Sequence, residues 1–317
     1  MKKNFVILTE LGRRNSGSGH YSRSLIIKKK IKRNCEIVIK KNKNIKNIKN
    51  INLIEKDIEI NNFLKKNHKN ILIIDKYKFD KNIIKFFKKF FYKIFVFNDL
   101  KFIKNSSNFF SFYPQTLKKL KYKKNFIEGK EIFPVNQKLL LTRKKYKIRK
   151  SIKKVFLFFG GIVNEKILFR IISKINSNFS KTLKFYLYTN QLIIKKKIPK
   201  NFYIIKVNKN YFNDLLKYDL AIISSGFVKF DLLTIGMPII YVPMYDHQIK
   251  IANNYSKNNF GVNLDNIKML DYLTKSNKSI NFKNPFSYEK RLKIFKFYRS
   301  NFNGKGADKI KNYLLKL

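Results

Sequence analysis

Residues 218–248 read YDLAIISSGFVKFDLLTIGMPIIYVPMYDHQ, and this stretch decides the fold class. A short apolar run at 220–223 ends in a Ser-Ser-Gly turn, and the helix-period segment that follows stops at the Gly-Met-Pro of 236–238. A second apolar run covers 239–242. A strand, a polar glycine turn, a helix and another strand in this order predict a parallel α/β unit that binds a ligand at the carboxyl ends of its strands.

The same alternation of short apolar runs and helix-period segments extends in both directions from this stretch. In the first half we predict strands at 5–9, 36–39, 71–75 and 94–97, and helices at 21–31, 58–66 and 82–92. In the second half we predict strands at 155–159, 185–188, 203–207, 220–223 and 239–242, and helices at 165–175, 230–235 and 248–257. The sequence therefore predicts two doubly wound parallel-sheet units in tandem.

The length of 317 residues exceeds the size at which one hydrophobic core usually stops growing, so two domains are expected. Residues 141–154 are dense in Lys and Arg, and the strand pattern restarts after them. We predict an N-terminal Rossmann-like domain at 1–147, a C-terminal Rossmann-like domain at 148–285, and helices at 286–317 that return to the N-terminal domain. The Lys/Asn/Ile-rich residues 41–52 are predicted to be an exposed connection.

The net charge of +52 by itself favours a nucleic-acid or anionic-membrane partner. Only nine of the 71 basic residues are Arg, however, and Lys is spread over the whole chain together with Asn, Ile, Phe and Tyr. A/T-rich codons explain this composition, and no basic stripe lies beside an aromatic RNA-binding motif. We therefore expect no specific nucleic-acid partner, and salt-sensitive adhesion to polyanions stays open as an alternative.

Cys35 is the only cysteine, so an intramolecular disulfide is impossible and a reducing compartment is expected. No apolar run approaches the roughly 20 residues that span a bilayer, and the apolar run at 5–8 is too short for a signal peptide. The sequence predicts a cytoplasmic protein without a transmembrane segment, whose Lys-rich faces allow peripheral contact with a membrane surface. It leaves the oligomeric state open.

The first predicted strand is followed by the glycine-rich turn TELGRRNSGSGH of residues 9–20 and then by a helix. In such a turn, backbone N–H groups near Gly17 and Gly19 can face an anion at the carboxyl edge of the sheet. His20 then lies at the mouth of the expected cleft, where its near-neutral pKa suits a general base that removes a proton from water or a hydroxyl. The alternative is a tight turn with His20 on the surface.

The third predicted strand ends in Ile-Ile-Asp-Lys-Tyr, which brings Asp75 to the same carboxyl edge as His20. Asp75 could orient the imidazole or hold a sugar hydroxyl, and otherwise it is a solvated acid at a strand end. Tyr77 is a candidate for substrate binding. Asp99, after the fourth strand, is a weaker candidate of the same kind as Asp75.

Two glycine-containing turns in the second half are candidate phosphate sites. Gly160 and Gly161 follow a predicted buried strand and allow a phosphate to approach the backbone closely. Ser224, Ser225 and Gly226 follow another strand, and their hydroxyls and amides can bind a diphosphate. The alternative for both is an ordinary turn between a strand and a helix.

The segment after the second turn carries three further polar candidates. Asp231 lies early in the predicted helix, where it can accept hydrogen bonds from two ribose hydroxyls. His247 and Gln248 open the next helix, where Gln248 can contact a phosphate or sugar. Because several polar groups converge on one sheet edge, a ligand site is favoured over a plain α/β repeat.

Taken in order, these motifs resemble those of one family. They are Gly-x-Gly-His at 17–20, Ile-Asp-x-Tyr at 74–77, Phe-Gly-Gly at 159–161, Ser-x-Gly before an acid at 224–231, Gly-x-Pro at 236–238, Asp-His-Gln at 246–248 and Asn-Gly-Lys-Gly-Ala at 303–307. The family is the UDP-2,4-diacetamido-2,4,6-trideoxy-β-L-altropyranose hydrolases of pseudaminic acid synthesis, with related spore-coat polysaccharide proteins. The resemblance spans essentially the whole chain. A more distant one is to the N-acetylglucosaminyltransferase that makes lipid II.

The resemblance implies a GT-B fold, in which two Rossmann-like domains face a cleft. It also implies that His20 activates water at the anomeric carbon of a UDP-sugar, that Asp231 holds the ribose, and that His247 and Gln248 reach the ligand. This sequence departs from the family where Ser225 replaces a glycine, Val228 a Ser or Thr, Asp231 a Glu and His247 an Asn. A further departure is Gly-Gly-Ile-Val at 160–163 in place of Gly-Gly-Ser-Asp.

We therefore expect a nucleotide-sugar hydrolase that releases UDP by water activated at His20. No DxD-type pair lies near a predicted strand end, so we expect neither a metal nor another cofactor. A GT-B glycosyltransferase that uses the same UDP-sugar donor is the alternative enzyme. A non-catalytic nucleotide- or polyanion-binding protein is the alternative outside the enzymes.

Overall fold

The computed structural model describes residues 4–10, 19–32, 35–40, 52–54, 57–66, 70–76, 81–99, 109–160, 163–190, 198–208, 211–264 and 287–316. The described strands are β1 Phe5–Thr9, β2 Cys35–Lys40, β3 Asn52–Ile54, β4 Ile71–Asp75, β5 Lys93–Phe97, β6 Phe110–Tyr113, β7 Lys121–Lys123, β8 Phe126–Glu128, β9 Lys154–Phe158, β10 Lys184–Thr189, β11 Phe202–Lys206, β12 Leu220–Ile223, β13 Ile239–Tyr241 and β14 Val262–Asn263.

The described helices are α1 Gly19–Ile31, α2 Asp57–Lys66, α3 Lys81–Lys88, α4 Gln137–Lys145, α5 Glu165–Asn178, α6 Tyr211–Asp214, α7 Val228–Ile235, α8 Asp246–Lys257, α9 Tyr288–Asn301 and α10 Gly306–Lys316. The chain divides into two compact units. The first comprises Met1–Val135 and Gly304–Leu317, and the second comprises Asn136–Asn303.

The first unit is built on one sheet with the strand order β3-β2-β1-β4-β5-β6-β8-β7, in which only β7 runs antiparallel to its neighbour. Alternate side chains of β1 enter different cores, because successive residues of a strand point to opposite faces. Phe5 and Ile7 pack with α1 and α10 on one face, whereas Val6 and Leu8 pack with α2 and α3 on the other. Helices therefore cover both faces of this sheet.

The second unit has a parallel sheet with the strand order β11-β10-β9-β12-β13-β14. Helix α5 covers one face through Leu168, Ile171, Ile172 and Ile175, which recur at the spacing of one helix side. On the other face, α7 packs nearly all of its side chains into the interior and ends at Gly236, whose φ of 90° forms the helix cap.

Both sheets share one strand order, 3-2-1-4-5-6 within each unit, which places a topological switch point between their first and fourth strands. In the first unit the switch point lies between β1 and β4, and in the second between β9 and β12. Crevices outside the carboxyl ends of the strands at such points are the usual ligand sites of open α/β sheets. The fold thus indicates that the segments after β1, β4, β9 and β12 are candidate ligand sites.

The two predicted parallel-sheet units are confirmed, and the predicted strands at 5–9, 71–75 and 220–223 match the structure residue for residue. Helix α4 was not predicted, because its only buried side chains are Leu139 and Thr142 and its polar composition resembles that of a linker. Strands β6 to β8 were also missed. The exposed connection predicted at 41–52 lies almost wholly outside the described residues.

The domain limits predicted from sequence differ from the two compact units. The division falls at Val135, before α4, instead of at residue 147. Of the helices predicted to return to the first domain, only α10 belongs to the first unit, where a Cβ at Gly306 would collide with the carbonyl of Phe133. Helix α9 belongs to the second unit, where it packs on α7.

Arg143 on α4 explains why α4 and α9 belong to the second unit. Its guanidinium donates hydrogen bonds to the carbonyl oxygens of Thr234 on α7, of Phe302 at 2.8 Å and of Arg299 at 2.8 Å. These carbonyls lie at the carboxyl-terminal ends of α7 and α9, where backbone acceptors have no partner within the helix. Burial, together with the nearby charge of Arg299, lowers the pKa of Arg143 to about 10.

No helix within the described ranges is long and apolar enough to cross a bilayer. Helices α5 and α9 have 14 residues each. A membrane-spanning helix needs about 20 predominantly apolar residues.

We predict that Arg143→Met destabilises the second unit by about 2 to 3 kcal/mol, because the methionine keeps much of the apolar stem but leaves three helix-terminal carbonyls without their charged donor. Urea denaturation followed by circular dichroism measures this change. Arg170→Met, at an exposed position of α5, is the matched control and should change stability by less than about 0.5 kcal/mol. Equal effects of the two substitutions would contradict the role given to Arg143.

Candidate functional site

Helix α1 presents polar side chains on its inner face, where an amphipathic helix would carry apolar ones. His20, Arg23, Ser24 and Ile27 recur at the spacing i, i+3, i+4 and i+7, and all four are buried. The helix begins directly at Gly19, so His20 lies in its first turn. The polar part of this face therefore lies at the amino end of α1, next to the carboxyl ends of β1 and β4.

Asp75 is the last residue of β4, the strand that pairs with β1 at the switch point, and its side chain is fully buried. Its Oδ1 accepts hydrogen bonds from His20 Nδ1 at 2.7 Å and from Arg23 Nη2 at 2.5 Å. Its Oδ2 accepts from Arg23 Nε at 2.9 Å and from Ser24 Oγ at 3.2 Å. Three side chains of α1 thus converge on one carboxylate.

Arg23 joins this carboxylate to a second one. Its Nη1 donates to Asp99 Oδ1 at 2.6 Å and its Nη2 to Asp99 Oδ2 at 2.8 Å, which forms a bidentate pair. The guanidinium also lies 4.2 Å from the ring centroid of Phe97, near the end of β5. His20, Arg23, Asp75 and Asp99 form a connected network, which we call the His20 network.

The charges of the His20 network shift the pKa values of its members. Burial by itself lowers the pKa of His20, but the hydrogen bond and the charge of Asp75 outweigh it, and the net pKa lies above the ordinary 6.5. Burial by itself raises the pKa of Asp75, but Arg23 and His20 outweigh that effect and bring it down to about 2. Asp75 is therefore ionised at neutral pH.

The ionised Asp75 fixes the tautomer of His20. A carboxylate can only accept hydrogen bonds, so the neutral imidazole must carry its proton on Nδ1 and its lone pair on Nε2. Arg23 Nη2 lies 3.3 Å from Nδ1 because both nitrogens bond the same oxygen of Asp75. Nε2 lies 3.9 Å from Glu10 Oε1. This arrangement suits a base that acts through Nε2.

His20, Asp75 and Asp99 also form a possible set of metal ligands, since one atom from each lies within 4.8 Å of the others. Arg23, however, already bonds both oxygens of each carboxylate. The guanidinium therefore supplies the positive charge that a metal ion would bring, and the donor set does not fit a metal as it stands. The prediction of a metal-free site remains a prediction.

At the switch point of the second unit, two strands are followed by glycines that have room for a Cβ. Gly160, after β9, has a φ of 117°, which favours glycine, and a Cβ added there would meet no atom within 4 Å. A Cβ added at Gly226, after β12, would meet only Ser224 Oγ, at 3.8 Å. Among the described residues, a Cβ at Gly160 would meet open space and one at Gly226 only an ordinary van der Waals contact, so a ligand could approach the backbone at both places.

Ser225 and Gln248 connect the turn after β12 to the first turn of α8. Ser225 Oγ donates to the backbone carbonyl of Gln248 at 2.8 Å, and the side-chain Oε1 of Gln248 accepts from the N–H of Met244 at 2.9 Å. Ser224 is buried beside them. The structure therefore brings the predicted residues Ser225 and Gln248 together, with their side chains engaged in fixing the two turns.

Asp231 on α7 is partly exposed and accepts a hydrogen bond from the hydroxyl of Tyr211 on α6. The carboxyl of Asp231 loses hydration among the surrounding protein atoms, which raises its pKa to about 7, although the hydrogen bond from Tyr211 lowers it. Asp231 therefore changes protonation near neutral pH.

The structure joins some of the predicted residues in each unit. In the first, Gly19 begins α1 and His20 is bonded to Asp75; in the second, Ser225 is bonded to Gln248, and Gly160, Ser224, Gly226 and Asp231 lie in the turns after β9 and β12 or in α7. Gly17, Tyr77 and Gly161 lie outside the described residues, as does the side chain of His247. Sequence reasoning missed Arg23, Ser24, Tyr211 and Lys229. Polar residues at helical spacing from His20 were the signal for the first two.

No protein-family model matches this sequence, and no curated protein matches it. Solved structures do match it over nearly its whole length. The UDP-GlcNAc 2-epimerase of Neisseria meningitidis, bound to UDP-GlcNAc, matches with a TM-score of 0.63 and 11% identity, over 99% of this chain and 100% of that one. The spinosyn rhamnosyltransferase SpnG, complexed with thymidine diphosphate, matches with a TM-score of 0.60 and 10% identity, over 97% of this chain and 99% of that one. MurG of Acinetobacter baumannii matches with a TM-score of 0.55 and 11% identity, over 99% of this chain and 100% of that one.

At these identities the likeness concerns the fold. Each of the two units of this chain has a parallel sheet with the Rossmann-like strand order. The matches to the epimerase and to MurG extend over both units. The chain has the GT-B fold, as the sequence predicted.

Proposed function

We propose that the protein is a hydrolase that releases UDP from a UDP-activated sugar. His20 removes a proton from a water molecule, and this water attacks the anomeric carbon while the diphosphate leaves. The sequence resemblance suggests a diacetamido-trideoxy sugar and a cytoplasmic role in surface-glycan biosynthesis. The first unit contributes the base, and the second contributes the turns that bind the nucleotide.

The observation that carries the proposal is the 2.7 Å hydrogen bond between His20 Nδ1 and Asp75. It directs the lone pair of His20 to Nε2, and it places a negative charge where the imidazole becomes positive during proton transfer. Asp75, Asp99 and Arg23 together carry one net negative charge, which the protonated imidazole neutralises. A general base of this kind contributes about 10²- to 10⁴-fold to a reaction rate.

The open space at Gly160 and the uncrowded backbone at Gly226 support a nucleotide site in the second unit. Phosphates bind well where backbone N–H groups and a helix amino end meet at a switch point. Two of the similar structures hold nucleotides, namely UDP-GlcNAc in the epimerase and thymidine diphosphate in the rhamnosyltransferase. In our proposal the turn at Ser224 to Gly226 takes the diphosphate, Asp231 the ribose hydroxyls, and Gln248 holds the turn.

A glycosyltransferase is the second candidate, because the rhamnosyltransferase resembles this chain over 97% of its length. The same base would then remove a proton from an acceptor hydroxyl instead of water. Release of UDP from UDP-sugars, measured with and without added sugar or lipid acceptors, separates the two reactions. Release that needs no acceptor supports hydrolysis, whereas release that depends on an acceptor supports transfer.

We predict that His20→Asn lowers kcat by about 10²- to 10⁴-fold and leaves the Kd for UDP within about threefold, because the nucleotide is held by residues of the other unit. Steady-state kinetics and calorimetric titration with UDP measure the two effects on one preparation. Full activity would remove His20 from the mechanism. An equal loss of activity and UDP affinity would assign His20 to nucleotide binding.

We predict that kcat/KM falls on the acidic side with an apparent pKa above 6.5, because His20 must be neutral to accept a proton and its pKa is raised. Asp75→Asn removes the charge that raises this pKa, so the acidic limb should move to lower pH. The plateau should also fall, by about 10²- to 10⁴-fold, because the amide can bond the wrong tautomer of the imidazole. A pH–rate profile from about pH 5 to 9 tests both effects, and an unshifted limb contradicts them.

We predict that Asp231→Ala weakens UDP binding by about 1 to 3 kcal/mol through lost hydrogen bonds to the ribose. Because the pKa of Asp231 is about 7, the affinity of the unmodified protein should rise as the pH increases through neutrality and the acceptor-only carboxylate forms. Calorimetric titrations at several pH values measure both effects. Asp308→Ala, at a partly exposed acid of α10, is the control and should leave the affinity unchanged.

A further inference from the structure

Lys229 is a fully buried lysine one turn after the Ser-Ser-Gly turn of the second unit. Its Nζ donates hydrogen bonds to the backbone carbonyls of Ser225 at 3.1 Å and Gly226 at 3.4 Å. The same ammonium lies 4.4 Å from the ring centroid of Phe230 and 5.1 Å from that of Tyr255. Its contacts thus fix its position immediately behind the turn after β12.

These hydrogen bonds help to fix which way the amides of the turn point, together with the backbone N–H of Lys229, which donates to the Gly226 carbonyl at 3.3 Å. In a trans peptide unit, the C=O of one residue and the N–H of the next point in opposite directions. Because the Ser225 and Gly226 carbonyls point toward Lys229, the N–H groups of Gly226 and Phe227 point away from it. These two N–H groups therefore lie on the side of the turn opposite Lys229.

The buried charge favours an anion at the same turn. The ammonium that bonds the Ser225 and Gly226 carbonyls adds positive charge behind a turn whose N–H groups face the other way. A phosphate bound on the outer side of the turn would interact with this charge through the protein interior, where screening by salt and water is weak. This attraction increases with the charge of the ligand.

We propose that Lys229 is a positioning residue that makes the turn at Ser225 and Gly226 selective for a diphosphate over an uncharged ligand. This inference rests on the proposed nucleotide site. It separates two roles within that site. Asp231 recognises the ribose, which every uridine nucleotide carries, whereas Lys229 acts on the phosphates alone.

Calorimetric titration of the full chain with uridine, UMP and UDP tests the proposal. Lys229→Met keeps most of the side-chain volume and removes both the charge and the hydrogen bonds, and Lys229→Gln keeps a donor without the charge. We expect both variants to weaken UDP binding by at least about tenfold, UMP binding by less, and uridine binding by less than about threefold. Thermal melts establish that each variant is folded.

Two further variants are the controls. Lys257→Met removes the same charge at an exposed position of α8 and should leave UDP affinity within about twofold, which controls for the high net charge of the chain. Asp231→Asn should weaken all three ligands by a similar factor, because each of them contains the ribose. The contrast between Asp231→Asn and the Lys229 variants separates loss of ribose contacts from loss of phosphate contacts.

Equal weakening of all three ligands in both Lys229 variants would overturn the proposal and leave Lys229 with a purely structural role. Unchanged UDP affinity in the folded variants would overturn it as well. Failure of the unmodified protein to bind any uridine nucleotide would instead contradict the proposed function. If both substitutions prevent folding, the affinities of the unmodified protein decide, since UDP binding no tighter than uridine binding contradicts a diphosphate-selective turn.

Discussion

The chemistry at the switch point of the first unit depends on one buried carboxylate, that of Asp75. An ionised acid without water is unstable unless charged or hydrogen-bonding groups surround it, and here Arg23, His20 and Ser24 all bond its two oxygens. Removing Arg23 would leave a buried negative charge without its counter-ion, a change that costs about 3 to 5 kcal/mol in comparable sites. The ionised Asp75 therefore determines three properties together: the stability of the His20 network, the tautomer of the His20 imidazole and the raised pKa of that imidazole.

The two units place charges of opposite sign at the switch points of their sheets. At the switch point of the first unit, the buried Asp75 and the partly exposed Asp99 outnumber the single guanidinium of Arg23 and favour a proton on His20. At the switch point of the second unit, the buried Lys229 bonds the carbonyls of the turn after β12, and the N–H groups on the other side of that turn favour an anion. In the proposed reaction, the first arrangement would accept a proton and the second would bind the departing diphosphate.

The sequence predicted the two strand–helix series and placed His20 and Asp75 at one sheet edge, because parallel strands end at the same edge of a sheet, but it left the pairing of the two side chains as one of several alternatives. It did not predict that Arg23 bonds Asp75, because this contact depends on the rotation of α1, which points the residue three positions after His20 inward. Nor did it indicate that Lys229 would be buried, since lysine is abundant throughout this chain and a single lysine carries no pattern. Helix α4 was missed because only Leu139 and Thr142 mark its inner face.

The central claim is that Asp75 holds the proton of neutral His20 on Nδ1 and so leaves Nε2 as the base. Long-range nitrogen–proton NMR correlation spectra of the full chain measure this directly, and the chain has only three histidines, so single substitutions can assign their signals. The account predicts that above its pKa His20 shows a protonated Nδ1 and a lone-pair Nε2, with a pKa higher than 6.5. A neutral His20 that carries its proton on Nε2, or one with a pKa below 6.5, would contradict it.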